Sequence, residues 1–413
     1  MKSSYFRLQF ITTFLGNLFE HYDLALYSLL SPFFASIFFS QEDRISALIL
    51  TYSLIPLSML SRPIGALFFG YIGDHYGRRT ALSISLFGLA AISLFLACAP
   101  TYQQVGIFAP IYLAIGRLFQ NFFGIGENLG GGIYLLENTK EKDQDFISSL
   151  YSSSTVGGFL LASFCVSILC YYNLLHDYWR ILYVMGGVTS LFAWILRRKM
   201  PKELIDKSLK VNLSVKQTFS SIWENRSTIL IIAVVAGFSY ANSSIVFVFF
   251  NGFIPLVSKI STEQMIHLNT FLLLFDFLSM PLFGLLAKRF SRQKTMLISA
   301  LLIALFACPL FYLLDRATLS TVILIRVIFV TLGVSFTAPF HSWAQHLVPA
   351  SNRYTFISFG YAIGSQLLGG IVTPLSLWIY KQTQVTWLSA IYWVCLALLV
   401  STCLIFVKKR SYK

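Results

Sequence analysis

Apolar residues run along this chain in long blocks rather than alternating or recurring at a 3.6-residue period. Blocks of 18 or more residues predict helices that cross a lipid bilayer. The pattern predicts spans at 8–36, 46–72, 80–99, 105–136, 148–172 and 180–197, then 227–257, 264–287, 295–314, 317–344, 355–380 and 385–407. The longest polar interval, 198–226, carries Lys199, Lys202, Lys207, Lys210 and Lys216 and divides them. The expected fold is therefore an all-α polytopic membrane protein of about twelve transmembrane helices. An N-terminal six-helix bundle occupies 1–197, a cytoplasmic linker 198–226, and a C-terminal six-helix bundle 227–413. Glu20 and Asp23 interrupt the first apolar block and no small-residue cleavage site follows, so it reads as a retained span rather than a secretory leader.

Composition agrees with the pattern. Of 413 residues 56% are hydrophobic and 12% charged, and the mean hydropathy is +0.70; a soluble domain carries about a quarter charged residues. The net charge of +14 would suit nucleic acid, but its distribution argues otherwise. With a cytoplasmic N-terminus, the outer loops hold only Arg44, Arg180, Lys259, Arg316 and Lys381, and the predicted spans hold Arg62, Arg117 and Arg326. The other Lys and Arg fall on the inner side, which is the positive-inside bias and puts both termini in the cytoplasm. These charges have no aromatic-rich face among them, so no nucleic-acid partner is expected. The multi-pass chain is expected in the plasma membrane, the inner membrane if the source is bacterial, as a monomer in the lipid bilayer.

Other chemistries find little support. The six cysteines lie in or beside apolar blocks without metal-ligand spacing, so no metal site is expected. No catalytic serine, histidine and acid set stands out, so the chain does not read as an enzyme. A phosphate-binding glycine loop is absent from the sequence, and no cofactor is expected.

The polar residues inside spans are more informative. On span one Asn17, Glu20, Asp23 and Tyr27 are spaced by three, three and four and share a helix face. On span four Arg117, Gln120, Asn121, Gly124, Glu127, Asn128 and Gly131 form a continuous stripe. On span seven Tyr240, Ser243, Ser244 and Asn251 repeat the pattern. Lipid does not tolerate such faces, so they are expected to line a shared cavity. Helical rise puts Glu20 and Asp23 roughly 18–22 Å from the cytoplasmic start of span one, near the bilayer centre, and Arg117 at a similar depth. A charge there costs at least about 2.5–3.5 kcal/mol. The expected resolution is a pair between Glu20 or Asp23 and Arg117, opened by protonation so that the cation is free for an anionic substrate group; a static structural pair is the alternative. Arg62 is expected to contact substrate or brace span two. Asp276 and Arg326 are pathway or bracing residues of the second half. Glycines at 157–158, 360, 364 and 369–370 are expected where helices pack closely.

The loop after span two reads Gly70-Tyr71-Ile72-Gly73-Asp74-His75-Tyr76-Gly77-Arg78-Arg79, and the loop after span eight, Gly284 to Lys294, repeats its glycine and basic turn with Lys288 in place of the acid. The repeat argues for internal duplication. The first loop resembles the signature of the major facilitator superfamily at Gly70, Asp74, Gly77, Arg78 and Arg79, departing at His75, where arginine is usual. More narrowly, Gly16 to Asp23 with Leu26-Tyr27, Arg62-Pro63-Ile64-Gly65, Gly116 to Gln120, Gly126 to Gly131 and Trp179-Arg180 resemble the metabolite:proton symporter family. Its members carry proline and betaine, α-ketoglutarate, citrate or shikimate. His21 stands where tryptophan is usual, and Asn121 where glycine is.

The resemblance implies a major facilitator fold and proton-coupled uptake of a small organic acid or zwitterion by alternating access. It makes Glu20, Asp23 and Arg117 proton-coupling candidates. Asn17, Tyr27, Arg62, Gln120, Glu127, Asn128, Tyr240, Asn251 and Arg326 are substrate-binding candidates, and Gly70, Asp74, Gly77, Arg78 and Arg79 a gating loop. An efflux antiporter of the same superfamily is the nearest alternative, although the fifth span lacks the Gly-Pro element many exporters carry. A non-transporting membrane receptor on the same fold is a third.

Overall fold

A computed structural model describes residues 2–39, 51, 54, 57–198, 215–315, 317–349 and 352–410. The start of the second predicted span, the centre of the linker, Arg44 and Arg316 lie outside them. The described residues are overwhelmingly helical and contain no strand. In lipid a helix satisfies its backbone groups internally, and long apolar runs leave few alternatives.

The principal helices of the first half are α1 (Lys2–Phe38), α2 (Ser61–Tyr76), α3 (Arg78–Ala97), α4 (Phe108–Glu137), α5 (Gln144–Tyr171) and α6 (Leu175–Arg198). Those of the second are α7 (Arg226–Val257), α8 (Thr262–Phe290), α9 (Arg292–Tyr312), α10 (Leu319–His346), α11 (Arg353–Thr383) and α12 (Ile391–Arg410). Among the described residues nine helices are long and apolar enough to cross a membrane by length and composition. The polar stripes of α1 and α4 dilute their apolar windows, and only 16 residues of α2 are described as one helix.

Chain contacts divide the protein into two compact units. One comprises Met1–Asn138, Ser154–Thr218 and Pro349–Phe359; the other comprises Thr139–Ser153, Phe219–Val348 and Gly360–Lys413. Each thus includes a short piece of sequence from the other half, which a division drawn at the linker does not reveal. In the first unit α3 packs on α4 and α6, and α1 on the same two helices. An aromatic cluster of Phe34, Phe38, Trp179 and Tyr183 ties α1 to α6. In the second, α9 packs on α12 and α10. There α7 meets α11 through glycine: a Cβ on Gly364 would collide with the Ala233 backbone, and one on Gly237 with Gly364 and Leu368. A π turn at Ile245–Phe249 interrupts α7.

The two similar loops, after α2 and after α8, share an unusual backbone. Gly77 joins α2 to α3 at φ 97° and ψ 146°, and Ser291 joins α8 to α9 at φ 86° and ψ 125°. Glycine adopts such a conformation without penalty, but a serine there is strained by about 1–3 kcal/mol. Ser291→Gly is therefore expected to stabilise the protein by about 1 kcal/mol. The check is its thermal midpoint in detergent, which should rise; an unchanged or lower midpoint would count against strain at this turn.

Candidate functional site

The first unit brings the polar faces of α1 and α4 into its interior. Asn17, Glu20 and Asp23 on α1, and Arg117, Gln120, Glu127 and Asn128 on α4, are all buried. Asn17 donates its amide to Ser154 Oγ at 2.7 Å and Thr155 Oγ1 at 2.9 Å on α5. The Glu20 carboxylate seats against Gly124, where a side chain would displace it. Neither of its oxygens has a hydrogen-bond partner among the described residues, though His21 Nδ1 lies 3.2 Å away. Asp23 Oδ2 accepts from Ser93 on α3, while Oδ1 rests against Gly186 without a hydrogen bond. His21, where the family pattern has tryptophan, bridges the two helices. Its Nδ1 lies 2.9 Å from Asn17 O and its Nε2 3.2 Å from Asn128 Nδ2, so the neutral ring with hydrogen on Nδ1 satisfies both.

Arg62 and Arg117 are held by neutral groups. Arg62 on α2 donates to Asn121 Oδ1 at 2.8 Å. Arg117 donates to Gln120 Oε1 at 2.5 Å and lies over the Tyr27 ring at 4.4 Å. The Tyr27 hydroxyl is itself spent on the Thr51 carbonyl at 2.7 Å. The direct pair expected between Arg117 and Glu20 or Asp23 is not among the ion pairs of the described residues. An amide three residues along its own helix and an aromatic face occupy the guanidinium instead, while Ser93 takes Asp23. Asn121, where the family pattern has glycine, supplies the acceptor for Arg62.

The ion pair that does form in this interior was not legible in the sequence. Arg197 Nη2 meets Glu127 Oε1 at 2.6 Å, and neither side chain is exposed at all. Arg197 also donates to Thr13 Oγ1 at 3.2 Å and the Thr12 carbonyl at 3.3 Å. It ends the sixth apolar block beside a basic linker and so reads as one more inner-surface charge. The signal available was Glu127, a membrane acid in need of a partner.

The loop between α2 and α3, expected to gate, is built around a helix start. Tyr354 N and Thr355 N, in the first turn of α11, donate to Asp74 at 3.3 and 3.0 Å, and Thr355 Oγ1 donates at 2.6 Å. Asp74 thus caps α11 from a distant part of the sequence, where unpaired N–H groups and the helix dipole favour an anion. Arg78 pairs with Asp74 and bidentately with Glu137, at 3.2 and 3.1 Å, and Arg353 joins Glu137 at 3.2 Å. Gly73 and Gly130 leave room for the Tyr354 ring, and Gly70 lies flat against Thr355. The Tyr354 hydroxyl donates to Gly126 O at 2.5 Å. Arg79 donates to the Arg198 carbonyl, and His75 stacks on Tyr71 of its own helix.

In the second unit the similar loop after α8 is also held by ion pairs, with a base where the first has its acid. Lys288 occupies the position of the acid and binds Asp143 at 2.9 Å, and Arg292 reaches Asp145 at 3.1 Å. Arg326 donates to the Val246 carbonyl at 2.6 Å, inside the π turn, and to Asn269 Oδ1 at 2.7 Å, so it braces α7 and α8. Asn251 turns back to the Phe247 carbonyl at 2.8 Å, and half-buried Tyr240 sits against Gly369.

A family model described as the Major Facilitator Superfamily matches residues 13–261. The chain belongs to this superfamily. This major facilitator is 30% identical over 370 residues to the α-ketoglutarate permease of Escherichia coli K12, covering 86% of this chain and 83% of that protein. It is 26% identical over 404 residues to the citrate-proton symporter of Klebsiella pneumoniae, covering 95% and 90%. Among solved structures it matches the proton:xylose symporter XylE with a TM-score of 0.77 at 18% identity, over 97% of this chain and 95% of that one, a likeness of fold. The protein is a multi-pass membrane transporter, not an enzyme.

Proposed function

We propose that this major facilitator takes up a small organic acid together with protons by alternating access, from the inner membrane of a bacterium. One observation carries the reading: in the interior of the first unit, where Glu127 takes Arg197, Glu20 and Asp23 form no ion pair with Arg62 or Arg117 among the described residues. Glu20 and Asp23 are buried without an arginine partner, while Arg62 and Arg117 rest on neutral amides. A cation held by amides keeps donors for a substrate carboxylate, which arginine binds in bidentate fashion. An unpaired buried carboxylate is costly as an anion and is relieved by a proton. One interior thus offers both partners of a symport, and each can favour the state that receives the other. The names of the relatives above, an α-ketoglutarate permease and a citrate-proton symporter, support an organic acid.

The test is uptake of labelled α-ketoglutarate and citrate by purified protein in liposomes, with an inward proton gradient imposed or collapsed; proline and betaine serve as zwitterionic controls. Gradient-dependent accumulation of either acid is expected. Accumulation of none, with folded protein, would turn the reading toward efflux or reception. Asp23→Asn is expected to lower pH-driven accumulation at least about tenfold while substrate exchange persists, since each tenfold step corresponds to about 1.4 kcal/mol of lost coupling. Unchanged accumulation would remove Asp23 from the coupling step.

A further inference from the structure

The second unit contains a cavity with an empty volume of about 240 Å³ including its open mouth, and one carboxylate faces it. Its walls are Asn242, Ser243, Val246 and Phe247 of α7, Asp276 and Met280 of α8, and Phe329, Val330, Gly333, Val334 and Thr337 of α10. Asp276 is 5% exposed and its Oδ1 is buried without a hydrogen-bond partner. It is the one ionisable residue in the lining, and it makes no ion pair among those of the described residues.

The surrounding charges are accounted for. On α10, Arg326 sits one turn beyond Phe329 and is directed to Val246 O and Asn269; Asn269 precedes Asp276 by seven residues, about 10 Å along α8. His341, further along α10, packs edge-on against Tyr151. On α9, Arg292 is engaged with Asp145; Lys294, Cys308 and Tyr312 are outside the lining. The stretch Phe250–Val257 that packs on α8 has no ionisable side chain. On α8 itself, His267, Lys288 and Arg289 are also outside the lining, and Lys288 holds Asp143.

We infer that Asp276 is a proton-binding carboxylate of the second half, reached through this cavity and distinct from Glu20 and Asp23. A buried anion without a counter-charge demands a proton or a cation. The lining favours the proton. Asn242 Oδ1 accepts from Trp393 Nε1 at 2.8 Å, and Thr337 Oγ1 is shared with Ser239 at 2.9 Å. Those two oxygens are thus already engaged, and the rest of the lining apart from Ser243 and Gly333 is Val, Phe and Met side chains, surroundings that suit a neutral protonated carboxyl better than a bound cation. A proton needs only the carboxylate. Asp276 then adds a second protonation to the transport cycle, an assignment that rests on the proton-coupled reading above.

Infrared difference spectra of the purified protein across a pH series test the proton itself. The expected result is a carboxylic-acid carbonyl band that titrates in the wild type, is lost in Asp276→Asn and returns shifted in Asp276→Glu. A wild-type band set that survives intact in folded Asp276→Asn would overturn the assignment. So would a band that sodium, rather than pH, removes. In liposomes, Asp276→Asn should lower gradient-driven accumulation at least tenfold, with Asp276→Glu recovering most of it; accumulation equal to wild type would overturn the coupling role. If the wild type itself shows no proton-driven accumulation, the transport reading fails, while the infrared titration still decides whether Asp276 binds a proton. Should Asp276→Asn not fold, the wild-type and Asp276→Glu spectra decide, and identical bands in the two would overturn the proposal.

Discussion

Arg197→Ala is expected to destabilise the protein by about 3–5 kcal/mol, because it takes the guanidinium away from a fully buried carboxylate, Glu127. The pair is desolvated on both sides, so water cannot replace the guanidinium. The loss extends to the Thr13 hydroxyl and the Thr12 carbonyl, which Arg197 ties to the end of α6. The measurement is the yield of monodisperse protein and its thermal midpoint in detergent. A control separates charge from packing: Arg197→Met combined with Glu127→Gln should recover much of the loss, since replacing both partners removes the stranded charge. A single variant with a near wild-type midpoint would show that Glu127 does not depend on Arg197, and the pair would then be ornamental to the fold.

The second large effect is expected at Asp74. Asp74→Ala removes three hydrogen bonds at the start of α11 and one of the two acids that hold Arg78. Hydrogen bonds to a charged group contribute about 1.5–3 kcal/mol each, so the local cost is at least about 3 kcal/mol. Hydrogen exchange should report it directly, with backbone amides of 352–359 exchanging at least about tenfold faster. Asp74→Asn should fall between, because asparagine caps a helix start nearly as well as aspartate but does not neutralise Arg78. Equal exchange in wild type and Asp74→Ala would mean that the segment is held by the Tyr354 ring alone.

These two sites mark where sequence reading ended. The stripes on α1 and α4 were legible because helical periodicity repeats every three or four residues, and lipid makes a polar face conspicuous. The buried placement of Glu20, Asp23, Arg117 and Glu127 follows from that alone. Partners are another matter, because periodicity carries no information about which distant side chain arrives opposite. Asp74 reads as an acid in a basic turn, yet its donors lie 280 residues away. Arg117 was matched to an acid by charge, but Gln120, one turn along the same helix, reaches it first. Arg197 was hidden by its basic neighbours. Lys288 reads as a lost acid because one sequence position is visible and the compensating Asp143 is not.

That reversal of sign also divides the two copies by environment. In the first, Asp74 and Arg78 are 3% and 9% exposed; in the second, Lys288 and Asp143 are 42% exposed each. Mobile ions screen exposed charges over a distance of about 8 Å at physiological ionic strength and reach buried ones far less. Brine is therefore a selective solvent for this protein: it loosens the clasp between Lys288 and Asp143 and leaves the one between Asp74 and Arg78 fastened, so that of two similar loops only one answers to the salt around it.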